Sequence, residues 1–288
     1  MTTHKNTKYT DANSVPKPLL FIARFLQFLS PSLATKFAVY LFKTPIRYKT
    51  PKHELDMDKK SRQETVHIKS LKKDIRVYSY GESSKKILLV HGWSGRGTQL
   101  VSIADALLAQ GYMTISFDAP AHGKSATKTT MMPEFVSCIH QLEKEWGPFE
   151  AAVGHSLGAM ALLSAVKEGF KIKKLIILGS GDSINDIIKM FIEKMKLKPV
   201  IGTRMKRIFF DILTFDIENY SANISAKEVK IPTLIFHDEN DLDVPVSSSE
   251  NIRQNLQDSE LIITQNLGHR RILKDEKVIS KIVDFLSK

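Results

Sequence analysis

Apolar residues in this chain gather into short unbroken runs separated by stretches of helical periodicity, and this alternation sets in near Glu64. Ile87–Val90, Met113–Phe117, Glu150–Val153, Lys174–Leu178, Thr233–Phe236 and Leu261–Thr264 have the length and composition of buried strands. Helical patterns lie between and after them, near 98–110, 133–146, 157–168, 246–256 and 275–287. Ahead of them, Thr65–Lys69 and Ile75–Tyr80 alternate in polarity around Lys72-Lys73-Asp74, which predicts an antiparallel hairpin. Unbroken apolar strands joined by helices need cover on both faces. The pattern therefore predicts an α/β fold: a mostly parallel, eight-stranded sheet with helices on both sides and the hairpin at a mixed edge.

Two intervals depart from the alternation. Residues 19–42 are apolar but interrupted by Arg24, Gln27 and Lys36, and Pro31 divides them. Each half is too short to span a bilayer as a helix. Two short helices are expected, with Ser30 capping the second ahead of Pro31. They would either pack on the main domain, the preferred expectation, or make peripheral membrane contact through residues 19–42. Residues 182–230 are long for a connection and helical in pattern, with an apolar side made by Ile187, Ile188, Phe191, Ile192 and Met195. An insert of that size between two core strands predicts a lid. The expected organisation is a tail without fixed structure over 1–18, a helical extension over 19–60, and one domain over 61–288 with the lid at about 182–230.

Composition narrows the function classes. The 288 residues are 42% hydrophobic and 25% charged, ordinary for a globular protein. Cys138 is the only cysteine, so no internal disulfide can form; with no signal-peptide pattern at the start, a cytoplasmic location is expected. The net charge is +11, with eleven Lys/Arg against four Asp/Glu in residues 1–60 and seven against one in 189–207. Such a surface attracts anions, but no aromatic-interleaved basic face, zinc-ligand spacing or helix-turn-helix pattern supports a nucleic-acid partner. No His-x-x-x-His pair suggests a metal, and no cofactor is expected.

The candidate chemistry lies at strand ends. Gly154-His155-Ser156-Leu157-Gly158 sits between a strand and a helix, where only a very tight turn fits; its glycines relieve the crowding. His91-Gly92-Trp93-Ser94-Gly95 follows another strand, where a glycine-rich turn can direct backbone N–H groups into a crevice. Asp238-Glu239-Asn240-Asp241-Leu242-Asp243 places several acids past a third strand, and Gly268-His269 follows a fourth. Ser156, Asp241 and His269 thus each come just after a different strand and would meet at one sheet edge, as nucleophile, base and base-orienting acid require.

In these motifs, together with Asp118-Ala119-Pro120-Ala121-His122-Gly123-Lys124-Ser125 and the run His237 to Pro245, the chain resembles the α/β-hydrolase superfamily over roughly residues 64–288. The resemblance implies Ser156 as nucleophile, His269 as general base and Asp241 as its acid, with the backbone N–H groups of Trp93 and Leu157 forming the oxyanion hole. It implies a serine hydrolase of carboxylesterase type acting on a small-molecule acyl substrate. Two positions depart from the family pattern. Ala121 stands where a glycine is usual, and Asp238 replaces a glycine of the acid loop, leaving Asp238 and Asp243 as alternative acids. Two other readings keep the same fold: a membrane-surface, lipase-like hydrolase, and a small-molecule sensor. A phosphate-binding loop ending in Gly123-Lys124-Ser125 is disfavoured, because Asp118 occupies the position where that loop needs glycine. Asp118 and His122 are expected to organise their loop.

Overall fold

The computed structural model describes residues 15–288. The described residues begin with two helices, α1 (Lys17–Leu29) and α2 (Pro31–Phe42), followed by a strap without helix or strand, a 3-10 turn over Lys52–Glu54 and α3 (Leu55–Lys60). The hairpin strands β1 (Arg62–Ile68) and β2 (Lys73–Tyr80) lead into β3 (Lys86–Val90), α4 (Val101–Ala109), β4 (Met113–Asp118) and α5 (Met132–Trp146). There follow β5 (Ala151–His155), α6 (Leu157–Lys167), β6 (Lys174–Leu178), α7 (Ile184–Lys194), α8 (Pro199–Leu213) and α9 (Ala222–Ala226). The chain closes with β7 (Thr233–Asp238), α10 (Ser247–Asn255), β8 (Ser259–Thr264), α11 (Gly268–Arg271) and α12 (Glu276–Ser287).

The eight strands form one sheet in the order β1-β2-β4-β3-β5-β6-β7-β8. β2 is antiparallel to both β1 and β4, and every pairing from β4 to β8 is parallel. The hairpin, the parallel sheet and the helices on both faces agree with the expected fold class.

Side chains alternate between the faces, so each apolar run serves two cores at once. Leu88, Val90, Ala152, Ile177 and Ile235 pack with Phe135 and Leu162 of α5 and α6. Ile87, Leu89, Val153, Leu178 and Phe236 pack on the other face with Leu107 of α4 and Ile282 of α12. Cys138 is buried in α5, and burial pushes its thiol pKa well up.

The helical extension differs in detail from the expectation. Residues 1–14 of the expected tail lie outside the described residues, and Lys17 and Pro18 already belong to α1. Ser30 occupies the N-cap position of α2, but its side chain makes no capping hydrogen bond; Pro31 at the first turn fixes the entry instead. Residues 44–51 form neither helix nor strand, where a helical extension was expected.

α2 packs on the insert: Ala34, Ala38 and Val39 are buried, and the Phe42 ring meets Phe191 edge-on at 5.2 Å and Phe209 at 5.5 Å. The strap then crosses the sheet edge. Arg47 donates to the carbonyls of Ala121, Ser125, Ala126 and Thr127, and Ile46 N–H donates to Ser94 Oγ at 3.0 Å. Ala121 holds a left-handed φ of 68°, so the turn normally served by glycine forms anyway, with Arg47 fastening its carbonyl. Among the described residues no helix is long and apolar enough to cross a membrane.

Candidate active site

Ser156 lies between β5 and α6 at φ 53° and ψ −119°, a strained conformation that serine holds only when its surroundings impose it. Those surroundings are tight. A Cβ on Gly158 would lie 2.4 Å from the Val90 carbonyl oxygen, and one on Gly154 would lie 2.8 Å from the Ala159 backbone. The Ser156 N–H donates to the Leu178 carbonyl at 2.9 Å, pinning the turn to β6. Leu157 opens α6, where backbone N–H groups lack helical partners and the helix dipole favours negative charge.

The loops after β7 and β8 bring Asp241 and His269 together at 2.7 Å, Oδ2 to Nδ1. Oδ1 of Asp241 accepts from the N–H groups of Asp243 and Val244 at 2.8 and 3.0 Å, and the side chain is only 1% exposed. Burial works against its charge, yet the His269 hydrogen bond and charge and the two backbone donors outweigh it, and its pKa lies below the ordinary value. In this loop Asp241 hydrogen-bonds His269.

Asp238, one of the two alternative acids, is held by other partners. Its buried carboxylate accepts from Thr264 Oγ1 at 2.8 Å, from the N–H groups of Leu267 and Asn240 at 3.0 and 3.1 Å, and from that of Gly268. Burial raises its pKa, but these donors prevail and hold it below the ordinary value. This carboxylate helps fasten the acid loop to the histidine loop, alongside Asn240 Oδ1, which accepts from the Asn266 N–H at 2.9 Å.

Sequence reading missed two histidines that frame the pair. His155 Nε2–H donates to the His269 carbonyl at 2.8 Å, and the two rings lie 4.6 Å apart. Burial, then the proximity of His269, lowers its pKa to about 3, so it is neutral. His237 donates from Nε2 to the Val244 carbonyl at 3.0 Å and accepts the Ser249 hydroxyl at Nδ1 at 2.6 Å; burial lowers its pKa too. The sequence signal was weak: both stand at strand ends, one beside Ser156 and the other four residues before Asp241.

The glycine-rich turn after β3 is held by two more neutral histidines. His91 donates from Nδ1 to the Gly92 carbonyl at 2.7 Å and accepts the Ala119 N–H at Nε2 at 3.1 Å. His122 accepts the Ser94 N–H at Nε2 at 3.0 Å, and burial lowers its pKa to about 4. The backbone on either side of Trp93 is therefore fixed. Asp118 accepts from the N–H groups of Gly97 and Lys124, both at 2.6 Å, and from Tyr78 Oη at 2.8 Å. A Cβ on Gly123 would lie 2.2 Å from its carboxyl carbon. Asp118 and His122 thus tie the loop together through its backbone N–H groups.

Ser156, Leu157, Trp93 and His269 line one cavity of about 1080 Å³. Leu41, Phe42 and Ile46 of the extension and Ile187, Met190 and Phe191 of the insert form apolar walls over it. The volume suits a small organic molecule with a sizeable apolar part. Asp241, Asp243 and His269 also bring three ligand atoms within 4.8 Å of one another. Two of the three residues are already engaged in a direct Asp–His hydrogen bond, which suits proton transfer better than metal ligation.

A sequence profile described as the Alpha/beta hydrolase family matches residues 87–278, two thirds of the chain. No curated protein sequence matches it. Among solved structures, an esterase from Exiguobacterium antarcticum is similar at a TM-score of 0.62 and 18% identity, over 79% of this chain and 100% of that one. An esterase from Pyrococcus furiosus is similar at 0.63 and 19%, over 85% and 96%. A bromoperoxidase from Bacillus anthracis is similar at 0.59 and 18%, over 78% and 99%. At these identities the likeness concerns the fold, and it extends across different chemistries. By its fold and by the sequence pattern across β3 to α12, this chain belongs to the alpha/beta hydrolase family.

Proposed function

We propose that the protein is a serine hydrolase that cleaves a carboxylic ester or a related acyl compound through an acyl-serine intermediate. The observation that carries this reading is the 2.7 Å bond between His269 and a buried, ionised Asp241, in the same cavity as Ser156 on its strained turn. Asp241 keeps the proton of the imidazole on Nδ1 and leaves Nε2 as the base.

In the first half-reaction His269 Nε2 accepts the Ser156 proton as Oγ bonds to the substrate carbonyl carbon. The oxyanion that forms is bound by the N–H groups of Trp93 and Leu157; such donors each contribute about 3 kcal/mol to barrier lowering in serine hydrolases. Collapse of the intermediate breaks the bond to the leaving alcohol, which takes the proton from His269. Water then gives a proton to His269 and attacks the acyl-serine; the acid departs and Ser156 Oγ regains its proton. Buried, neutral His155 and His237 support this scheme because neither competes as a charged group beside the base. The insert acts as the lid over the acyl-binding side, given the walls that Ile187, Met190 and Phe191 contribute.

Hydrolysis of a series of p-nitrophenyl esters tests the reading. The native chain is expected to turn over, and Ser156→Ala to lose activity by about four orders of magnitude with KM little changed. Equal activity in Ser156→Ala would overturn it, and ligand binding without turnover by the native chain would favour a sensor.

A further inference from the structure

The outward face of α1 is as apolar as its inward face. Ala23 is buried and Leu20 and Leu26 pack inward, while Phe21, Phe25 and Phe28 are 72%, 51% and 86% exposed, with Ile22 and Leu29 beside them. Arg24 is the only charged residue from Pro18 to Thr35. Three exposed phenylalanines on one helix, with Ile22 and Leu29 beside them, call for a second apolar phase.

The charge around this face is one-sided. Residues 15–53 contain seven Lys/Arg and no Asp/Glu. Lys198 N–H donates to Gln27 Oε1 at 2.7 Å and Arg204 donates to Ser32 Oγ at 3.1 Å, which brings the basic start of α8 alongside α1. Lys17, Arg24 and Lys196 surround Leu20, Phe21 and Phe25 in one shallow recess. A second copy of this chain meeting the same face would set positive charge against positive charge. An anionic bilayer offers both the apolar phase and the opposite charge.

We propose that α1 is an interfacial docking helix that lies on an anionic lipid bilayer, burying Phe21, Phe25 and Phe28 among the acyl chains while Lys17, Arg24 and Lys196 meet the headgroups. Thirteen residues of helix reach only about 20 Å, so α1 lies on the membrane and does not span it. The helix pair that carries this face also supplies cavity wall, through Leu41 and Phe42 of α2 and Val15 just before α1.

Co-sedimentation of the full chain with vesicles tests the proposal. Binding is expected to vesicles of phosphatidylcholine mixed with phosphatidylglycerol, to weaken on phosphatidylcholine alone, and to fall with added salt. Phe21→Ser/Phe25→Ser/Phe28→Ser is expected to reduce binding at least about tenfold. Lys17→Glu/Arg24→Glu/Lys196→Glu is expected to do the same on the anionic vesicles. Circular dichroism checks the fold of each variant, and the charge variant decides if the phenylalanine variant fails to fold. Ser156→Ala is expected to bind as the native chain does, so the result stands apart from the catalytic reading. The proposal is overturned if the native chain stays in the supernatant, or if folded variants bind as it does. It is also overturned if light scattering finds a native dimer that the phenylalanine variant dissolves, with no vesicle binding by either.

Discussion

The sheet edge that carries Ser156 and the helical pair that opens the chain solve opposite problems. At the sheet edge, polar groups are buried and nearly all are matched: four histidines, Asp118, Asp238 and Asp241 each accept or donate to named partners at hydrogen-bond distance. In α1, apolar groups are exposed and unmatched, with three phenylalanines facing outward. A buried polar group without a partner costs about 1–3 kcal/mol, so the first arrangement leaves few unmatched, His155 Nδ1 being one of them. An exposed apolar face costs little in the folded chain and leaves adhesive surface. The molecule thus sets a closely hydrogen-bonded frame against an exposed apolar helix, the surface proposed above for docking.

Acid breaks the frame first. His122 and His155 have folded pKa values near 4 and 3, lowered chiefly by burial from an ordinary value of 6.5. The unfolded chain takes up these protons as pH falls through 6.5, and the folded chain does not. Their contribution is therefore complete above pH 6.5 and is lost on acidification, at about 1.4 kcal/mol per histidine per pH unit down to their folded pKa values. Urea unfolding at pH 7, 6, 5 and 4 is expected to show a stability loss of about 3 kcal/mol from each by pH 4. A flat profile would mean that these imidazoles are not buried neutral.

Gly158→Ala strikes the same frame without touching a charge. Its Cβ would meet the Val90 and His91 carbonyl oxygens at 2.4 and 2.5 Å, so β3 and α6 must separate. A loss of about 3 kcal/mol in urea unfolding is expected, with ester hydrolysis falling alongside. Phe28→Ser sharpens the contrast from the other side: at 86% exposure, its effect on unfolding is expected to stay within about 0.5 kcal/mol. A larger loss would show that α1 packs more closely than its exposure indicates.

The two regions also differed in how far the sequence revealed them. The strands were legible because each is covered on both faces and so reads as an unbroken apolar run; Ile87–Val90 and Lys174–Leu178 were placed to the residue or within one of it. The pairing of Asp241 with His269, and the opening of Ser156 into the same cavity as His269, follow from their places after β7, β8 and β5, which the sequence pattern showed. Their supports were not legible. His155 acts on His269 across 114 positions, and Arg47 holds a loop more than 70 positions away, through carbonyls that carry no side-chain signature. Asp238 reads in the sequence as an alternative acid, and its hydrogen bonds to the histidine loop carry no sequence signature. For the extension, local pattern gave two helices but not their seat: α2 rests on the insert, more than 140 positions away in the chain.

Covalent labelling with a fluorophosphonate, mapped by mass spectrometry, tests most directly whether the sheet edge is a working nucleophile. The native chain is expected to carry one adduct, on Ser156, at neutral pH. His269→Ala and Asp241→Asn are expected to slow labelling by about three orders of magnitude or more while remaining folded. An adduct on another residue, or unchanged labelling of Ser156 in both variants, would contradict the roles proposed for all three side chains.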